Sequence, residues 1–485
     1  MTANRFSRWL SGGIISTVLV MNAQEVGIGT TSPTARLHIE VPASYTSDLI
    51  RGDFGGKTYF LVDDQGNLVS AVENTDATAS AGPPPVSGAG RRMLWYSEKA
   101  AFRAGYVNGT QWDQSQVGIY SAAFGDNNEV SGQSAFASGS GNTVSGNQSI
   151  AFGSSNTVGN GMAMGSNNNL SSTYQMSVAI GSSNALGGHF LWGSFAIGAS
   201  NDLDRSGSMA IGMNNRTYQN GATSNHYFNL DPAITIGAEC TVTTARSIVI
   251  GYQSKAYNVL PDATNGLEVV VIGSMSQSAG YQSVIIGKGC YGDKDATGAV
   301  TLGYTAKVYG NKSTAVGFEA QAYGTQAVAI SVANTKAYGN NSVAIGHYAK
   351  TENTAAHGTA IGYYSLVQGE KGMSLGVDNI ARAYQVVLGT WNEPLGSNSG
   401  WTPSEPVFIV GNGSSSLSRS NAMVVLKNGN VGFGMNSPTA TVHVKDVLRL
   451  EPSSTPTSPS AGDIYFDSGT NKLRCYDGTT WHDLW

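Results

Sequence analysis

Two carboxylates held on either side of a sugar can cleave a glycosidic bond. The chain offers several acidic groups for such work: Asp202 with Asp204, Asp231, Glu239, Asp262 with Glu268, and Asp293 with Asp295. All lie in turn-rich sequence, where Asp is favoured for its bonds to nearby backbone, so they do not predict a glycosidase. Nucleophilic catalysis needs a base held against a nucleophile. None of the seven histidines lies in a nucleophile motif. GDKDATG at 292–298 alternates acids beside glycines, but it lacks the full calcium-loop pattern. No phosphate-cradling loop or dinucleotide fingerprint occurs. The expectation is no catalytic residue, no metal ligand, no cofactor and no enzyme.

A second chemistry is better represented. Aromatic rings stack on sugars or apolar surfaces, while neighbouring amides and carboxylates hydrogen-bond. NRTYQNGATSNHYFNLDPA at 215–233 holds Tyr218, His226, Tyr227, Phe228 and Asp231. AYNVLPDATNGLEV at 256–269 holds Tyr257, Asp262 and Glu268, and LGGHFLWGS at 186–194 holds His189, Phe190 and Trp192. The last residues contribute Tyr476, Trp481, His482 and Trp485. These are the candidate contact residues. Tyr257, Tyr309, Tyr323, Tyr338 and Tyr384 form a further set, expected to line up as a ladder.

The elements that position these residues follow from composition and period. Gly accounts for 62 of 485 residues and charged residues for only 12%, against typical values of about 7% and about 25%. Low charge argues against long solvated helices, and a net charge of −5 leaves no basic footprint for nucleic acid. Cys240, Cys290 and Cys475 are too far apart in sequence for a disulfide framework or zinc site and read as small buried residues. No stretch reaches the roughly 20 apolar residues of a membrane-spanning helix.

A repeat dominates the chain. SAAFG ends at Gly125, SIAFG at Gly153, SVAIG at Gly181, SMAIG at Gly212, SIVIG at Gly251, SVIIG at Gly287, STAVG at Gly317, SVAIG at Gly346 and VVLG at Gly389. AVAIS breaks the rule at Ser331. The set comprises 18 turns, and eight of its 17 intervals are 14 residues. Two are long, 25 residues from Gly212 to Gly237 and 22 from Gly251 to Gly273. Many turns carry a second element halfway, such as AKVYG or AQAYG. Alternation at period two reads as strand, and Gly or Asn supplies the positive φ of each corner. Fourteen residues therefore make two short strands and two turns. The predicted fold is an all-β parallel β-roll of about 18 coils, with small inward residues (Ala, Val, Ile). Stacked coils supply the core that one coil cannot bury. Loops inserted into a solenoid lie on its surface, often on its binding face, which is why the two long intervals carry the candidate contacts.

The S-x-A-I-G repeats, interleaved with A-x-A-x-G over about residues 119–390, resemble the head repeats of YadA-like trimeric adhesins. The resemblance implies a left-handed parallel β-roll with three chains side by side. The lead-in at Met93–Gly125 is similar to that of tail-fibre-like proteins. VGIGTTSPTARLHIE at 26–40 recurs as VGFGMNSPTATVHVK at 431–445, identical at eight of 15 positions. This pattern resembles modules of phage and phage-like tail fibres. His38 and His443 occupy the same slot of it, which predicts a packing or capping role.

The predicted organisation is a signal-like segment or attachment peg (1–24), a β collar (25–72), a Pro/Gly/Ser linker (73–92), the lead-in and roll (93–400), a second β collar (401–450), a linker (451–462) and a C-terminal tip module (463–485). The resemblances imply a homotrimeric fibre that binds a cell-surface glycan or protein receptor and attaches by its N-terminus to a particle baseplate or tail. The alternatives are a secreted bacterial surface adhesin, attached to the cell envelope, and a glycan-degrading tailspike. All three are extracellular, the first as part of a virion or phage-like particle.

Overall fold

A computed structural model describes residues 26–30, 32, 34–40, 49–54, 57–63, 67–70, 82–170, 176–187, 193–204, 207–217, 232–244, 246–257 and 268–485. Two compact units divide the chain, residues 1–206 and 207–485. The described residues are all-β apart from two 3-10 turns, Ser97–Lys99 and Gln114–Gln116.

Each coil has one long and one short strand. In the second unit a representative coil runs Val343–His347, then Lys350–Thr351. Long strands pair only with long strands, in parallel and in register: Val343, Ala344, Ile345 and Gly346 lie against Thr359, Ala360, Ile361 and Gly362. Short strands form a second ladder, with Lys350 and Thr351 against Leu366 and Val367. Because side chains alternate across a strand, Ala344 points into the coil while Val343 and Ile345 point out, and the burial follows that alternation. The core is thus one small residue per long strand facing one per short strand, such as Ala329, Ala337 and Ala344, all fully buried. The isoleucine of the repeat is not inward as its hydrophobicity suggested. It faces out and leaves an apolar row outside the coil, although in SVIIG the inward position is itself an isoleucine, Ile285.

The corner glycine is obligatory. Gly251 has φ +135, and a Cβ there would overlap the carbonyl oxygen of Gly273 on the next coil. Two residues later the coils again take positive φ; Gly141 and Gly289 serve in two of them, but others use Asn127, Ser183, Gln253, Met275 or Tyr364. The expectation that only Gly and Asn turn the corners is therefore too narrow. Neighbouring coils hold these residues, as when the Gln253 N–H donates to the Ala238 carbonyl at 2.9 Å.

Ser331 stands where the corner glycine belongs. It cannot share that backbone geometry, so the strand Val328–Ala333 bulges by one residue and Ala333, not Val332, pairs with His347. The extra residue, Val332, is 71% exposed. A one-residue bulge lets the register recover.

A buried polar ladder runs through the first unit. Asn128, Asn142, Asn156, Asn168, Asn184 and Asn201 occupy the third position after successive corner glycines, all buried. From Asn128 to Asn184, each Oδ1 accepts from the next coil. Asn156 donates Nδ2 to Asn142 Oδ1 at 2.9 Å, to the Phe152 carbonyl at 3.2 Å and to the Gly165 carbonyl at 3.0 Å. In the second unit the same slot holds Cys240, Ser254, Ser276, Cys290, Ala306 and Asn379 among others. Cys240 and Cys290 are thus buried as expected, with Sγ against the Gly251 and Gly303 carbonyls, and burial pushes both thiols up. Cys475 differs: it is only half-buried.

The coils adjoin antiparallel strands. Gly90–Tyr96 pairs with Ala101–Val107, which runs parallel to the first long strand, Ala122–Asp126. In the second unit Val386–Thr390 pairs in parallel with Pro406–Asn412, which pairs antiparallel with Asn421–Leu426. Ile464–Asp467, Lys472–Tyr476 and Trp481–Asp483 form a small antiparallel meander.

Candidate functional site

The repeat's sequence places two outward side chains on each long strand, one on either side of the buried residue. In the second unit these are pairs such as Ile248 and Ile250, Val270 and Ile272, Val300 and Leu302, Val328 and Ile330, and Thr359 and Ile361. Parallel register stacks them into two largely apolar rows, interrupted by Thr314 and Thr359. Several remain substantially exposed, Leu302 at 44% and Ile330 at 40%. In the first unit the rows contain Phe136, Ile150, Met162 and Val178 on one side and Phe124, Phe152, Met164 and Ile180 on the other. The Phe124, Phe136 and Phe152 rings lie 5.3–5.7 Å apart, neighbour to neighbour. Covering a half-exposed aliphatic side chain stabilises by roughly 1 kcal/mol, so rows of this length amount to a large association surface.

The corner after the short strand carries the expected tyrosine ladder in part. Tyr309, Tyr323 and Tyr338 stack nearly face to face at 4.5 and 4.4 Å. Tyr257 shares their row, but Ala279 and Asp293 occupy the two intervening coils. Tyr384 does not belong to it: it lies in another row at φ +58 and packs edge-on against Trp401. The stacked faces are spent on one another, and the Tyr323 hydroxyl donates to Gln321 Oε1 at 2.7 Å. Cross-coil packing therefore accounts for the ladder. Burial, then the charges of Tyr309 and Tyr338, push the Tyr323 hydroxyl up to about 12.

Each unit buries a cation where its coils meet antiparallel strands. Arg103 takes the inward position opposite Ala123 and is fully buried. Its guanidinium donates to the Phe102, Ser121 and Val130 carbonyls and to Ser121 Oγ. Burial brings its pKa down to about 10. Lys427, its side chain fully buried, pairs with Glu405 and lies over the Tyr384 and Trp401 rings. Solenoids need such ends, because the last coil has no neighbour. Neither cation was singled out by sequence, where each looks like an ordinary surface charge.

Among the described residues, several of the acidic groups are held by local partners. Asp293 accepts from the Tyr291 hydroxyl and from the Asp295 backbone N–H, and Asp295 pairs with Lys294. Glu239 accepts from Gln253 at 2.7 Å. Asp202 and Asp204 are exposed. No group of three or more metal-capable side chains occurs among the described residues.

Of the candidate contact residues, Tyr218, His226, Tyr227, Phe228, Asp231, Asp262, Phe190 and Trp192 lie outside the described residues, as does His189. Glu268 faces Arg246 at 3.5 Å, both half-exposed. Tyr476 and Trp481 meet within the terminal meander, with ring centroids 5.1 Å apart, and Tyr465 packs edge-on against Trp481. His482 bridges Asp477 at 2.7 Å. His38 and His443 do play one role: each Nδ1 meets the hydroxyl of a threonine four residues earlier, Thr34 or Thr439.

A family model for the YadA head domain repeat matches residues 131–156, 296–320, 309–330, 333–349 and 337–365. These segments fall on coils of both units, and the chain carries YadA head domain repeats on a parallel β-solenoid. A comparison with curated proteins returns no match.

Proposed function

From a chain built on YadA head domain repeats, we propose a non-enzymatic homotrimeric fibre that binds a cell surface as the tail fibre of a phage or phage-like particle. One observation carries the reading: the two apolar rows outside the long strands. A monomeric coil stack has no use for aliphatic side chains on its outer face, whereas three copies packed side by side would cover them. The repeat is that of surface-exposed adhesin-type fibres, which supports self-association and an extracellular setting. The collar sequences at 26–40 and 431–445 favour a particle fibre. The cell-surface contacts are assigned to the inserted loops at 215–233, 256–269 and 186–194 and to the terminal meander.

Light scattering on the purified full chain tests the assembly. A mass of three chains is expected, and a monomer mass would overturn the reading. Binding of the labelled fibre to host cells tests the surface role.

One observation favours a second reading, a secreted bacterial surface adhesin. Arg5 and Arg8 precede the apolar run 12–21 and Ala23, a pattern like a secretory signal. The N-terminal peptide of the native protein discriminates. A start at Met1 or Thr2 supports the particle fibre, and a start at Gln24 or Glu25 supports the adhesin.

A further inference from the structure

The terminal meander has two unlike faces. Side chains alternate across each strand, and the antiparallel register aligns them in rows. Every Asp, Lys and Arg of the three strands falls on one face, together with Tyr465, Tyr476 and Trp481. The charges there are paired: Arg474 bridges Asp467 and Asp483, and Lys472 meets Asp483. The incoming chain packs along Ile464–Asp467, with the Ser453 N–H donating to the Phe466 carbonyl, and sets Thr455 Oγ1 3.0 Å from the Tyr465 hydroxyl. Tyr465 and Asp467 are buried.

The other face carries Ile464, Phe466, Leu473, Cys475 and His482. Phe466, Leu473 and Cys475 are only half-buried. Ile464 is 52% exposed, and so is Leu484, which continues the row of Phe466 and Leu473. Trp485 is 65% exposed, its ring 6.4 Å from that of Phe466. The arrangement is inverted: the chain covers the charged face and leaves the apolar one in water.

A sheet of three short strands gains its stability by burying an apolar face. Small modules without that burial rely on a disulfide, a metal or oligomerisation. Cys475 is a free thiol, and no group of three or more metal-capable side chains occurs among the described residues. Oligomerisation is left, and the face suits it. It holds no Asp, Glu, Lys or Arg, so identical faces meet without like-charge repulsion. A polar receptor would find only His482 to bond. In a trimeric fibre each meander is also tethered beside two others, at high effective concentration.

We propose that the terminal meanders of three chains pack together through Ile464, Phe466, Leu473 and Leu484, a self-association site separate from the long-strand rows. This rests on the homotrimeric reading and adds a junction that the coils do not supply. Tyr476 and Trp481 belong to the opposite face and stay on the outside of the cluster, where the cell-surface contact needs them.

Cys475 provides a native probe, because Cys240 and Cys290 are buried. Brief treatment of the full-length protein with a short bismaleimide should give dimers on a denaturing gel, in a yield independent of protein concentration. Cys475→Ser should abolish them. Ile464→Asp puts a carboxylate into the contact and should cut the yield at least tenfold, while light scattering still reports three chains. Ser468→Asp, in an exposed turn outside the face, should leave the yield unchanged. If fibres of trimer mass give no Cys475-dependent dimer, the meander contact is overturned and the trimeric reading stands. Dimers that persist in Ile464→Asp arise from collisions of tethered modules and overturn the contact as well. A monomer mass for the unmodified protein overturns the trimeric reading and the contact with it.

Discussion

Asn156 donates both its backbone N–H, at 3.1 Å, and its Nδ2, at 2.9 Å, to one oxygen, the Oδ1 of Asn142. The pair is one rung of a fully buried ladder, so each Asn is held by the coil before it and holds the coil after it. Buried polar groups left without partners cost about 1–3 kcal/mol each. Asn156→Ala removes the acceptor for two Asn168 donors and strands the Gly165 carbonyl. Amide exchange in residues 139–170 should accelerate roughly a hundredfold, about 3 kcal/mol of local stability. Asn156→Ser should cost less, because Ser254 and Ser276 fill this slot elsewhere and accept the next coil's N–H.

Gly251→Ala should be far more damaging than its size suggests. The new methyl would require a strained φ of +135 and overlap the Gly273 carbonyl. A loss of roughly 3 kcal/mol or more is expected, read as lost amide protection in the strands Ile248–Tyr252 and Val270–Ser274. Gly400→Ala, with open space around it, isolates the clash.

The tyrosine ladder predicts alkaline weakening. The folded Tyr323 keeps its proton to about 12, while the unfolded residue loses it near ~10. Between these values the folded state binds more protons, so stability falls as pH rises. The contribution is fully present below pH ~10. Tyr323→Phe should flatten the decline in unfolding midpoint over this window.

Outward-row substitutions should separate assembly from folding. Ile361→Asp puts a carboxylate where the side chain is 37% exposed in one protomer, so the coil should keep its circular-dichroism spectrum. The same charge would be desolvated between copies, at a cost of several kcal/mol. Light scattering should report smaller species. Ala360→Asp, pointing into the coil, should instead unfold it locally.

The sequence made the architecture legible because one residue type recurs at one place in every coil. Glycine every 14 or so residues located the corners, and period-two alternation located the strands. Which side of the strand faces in was less readable. Both Ala344 and Ile345 are apolar, and only the burial of Ala344 shows which of the two faces in. The bulge at Ser331 was visible as a broken motif, but its displaced register was not. Arg103 and Lys427 were illegible because a buried charge is recognised by its surroundings, and those come from residues distant in the chain.

The long strands on either side of the 215–233 insertion, Met209–Met213 and Ile234–Ala238, pair without any shift of register. The short strands on either side, Arg216–Thr217 and Thr241–Val242, also pair in register. The insertion is thus silent to the register of its neighbours. Selection can lengthen, recombine or replace it without retuning the scaffold, so specificity and scaffold can evolve at different speeds along one polypeptide.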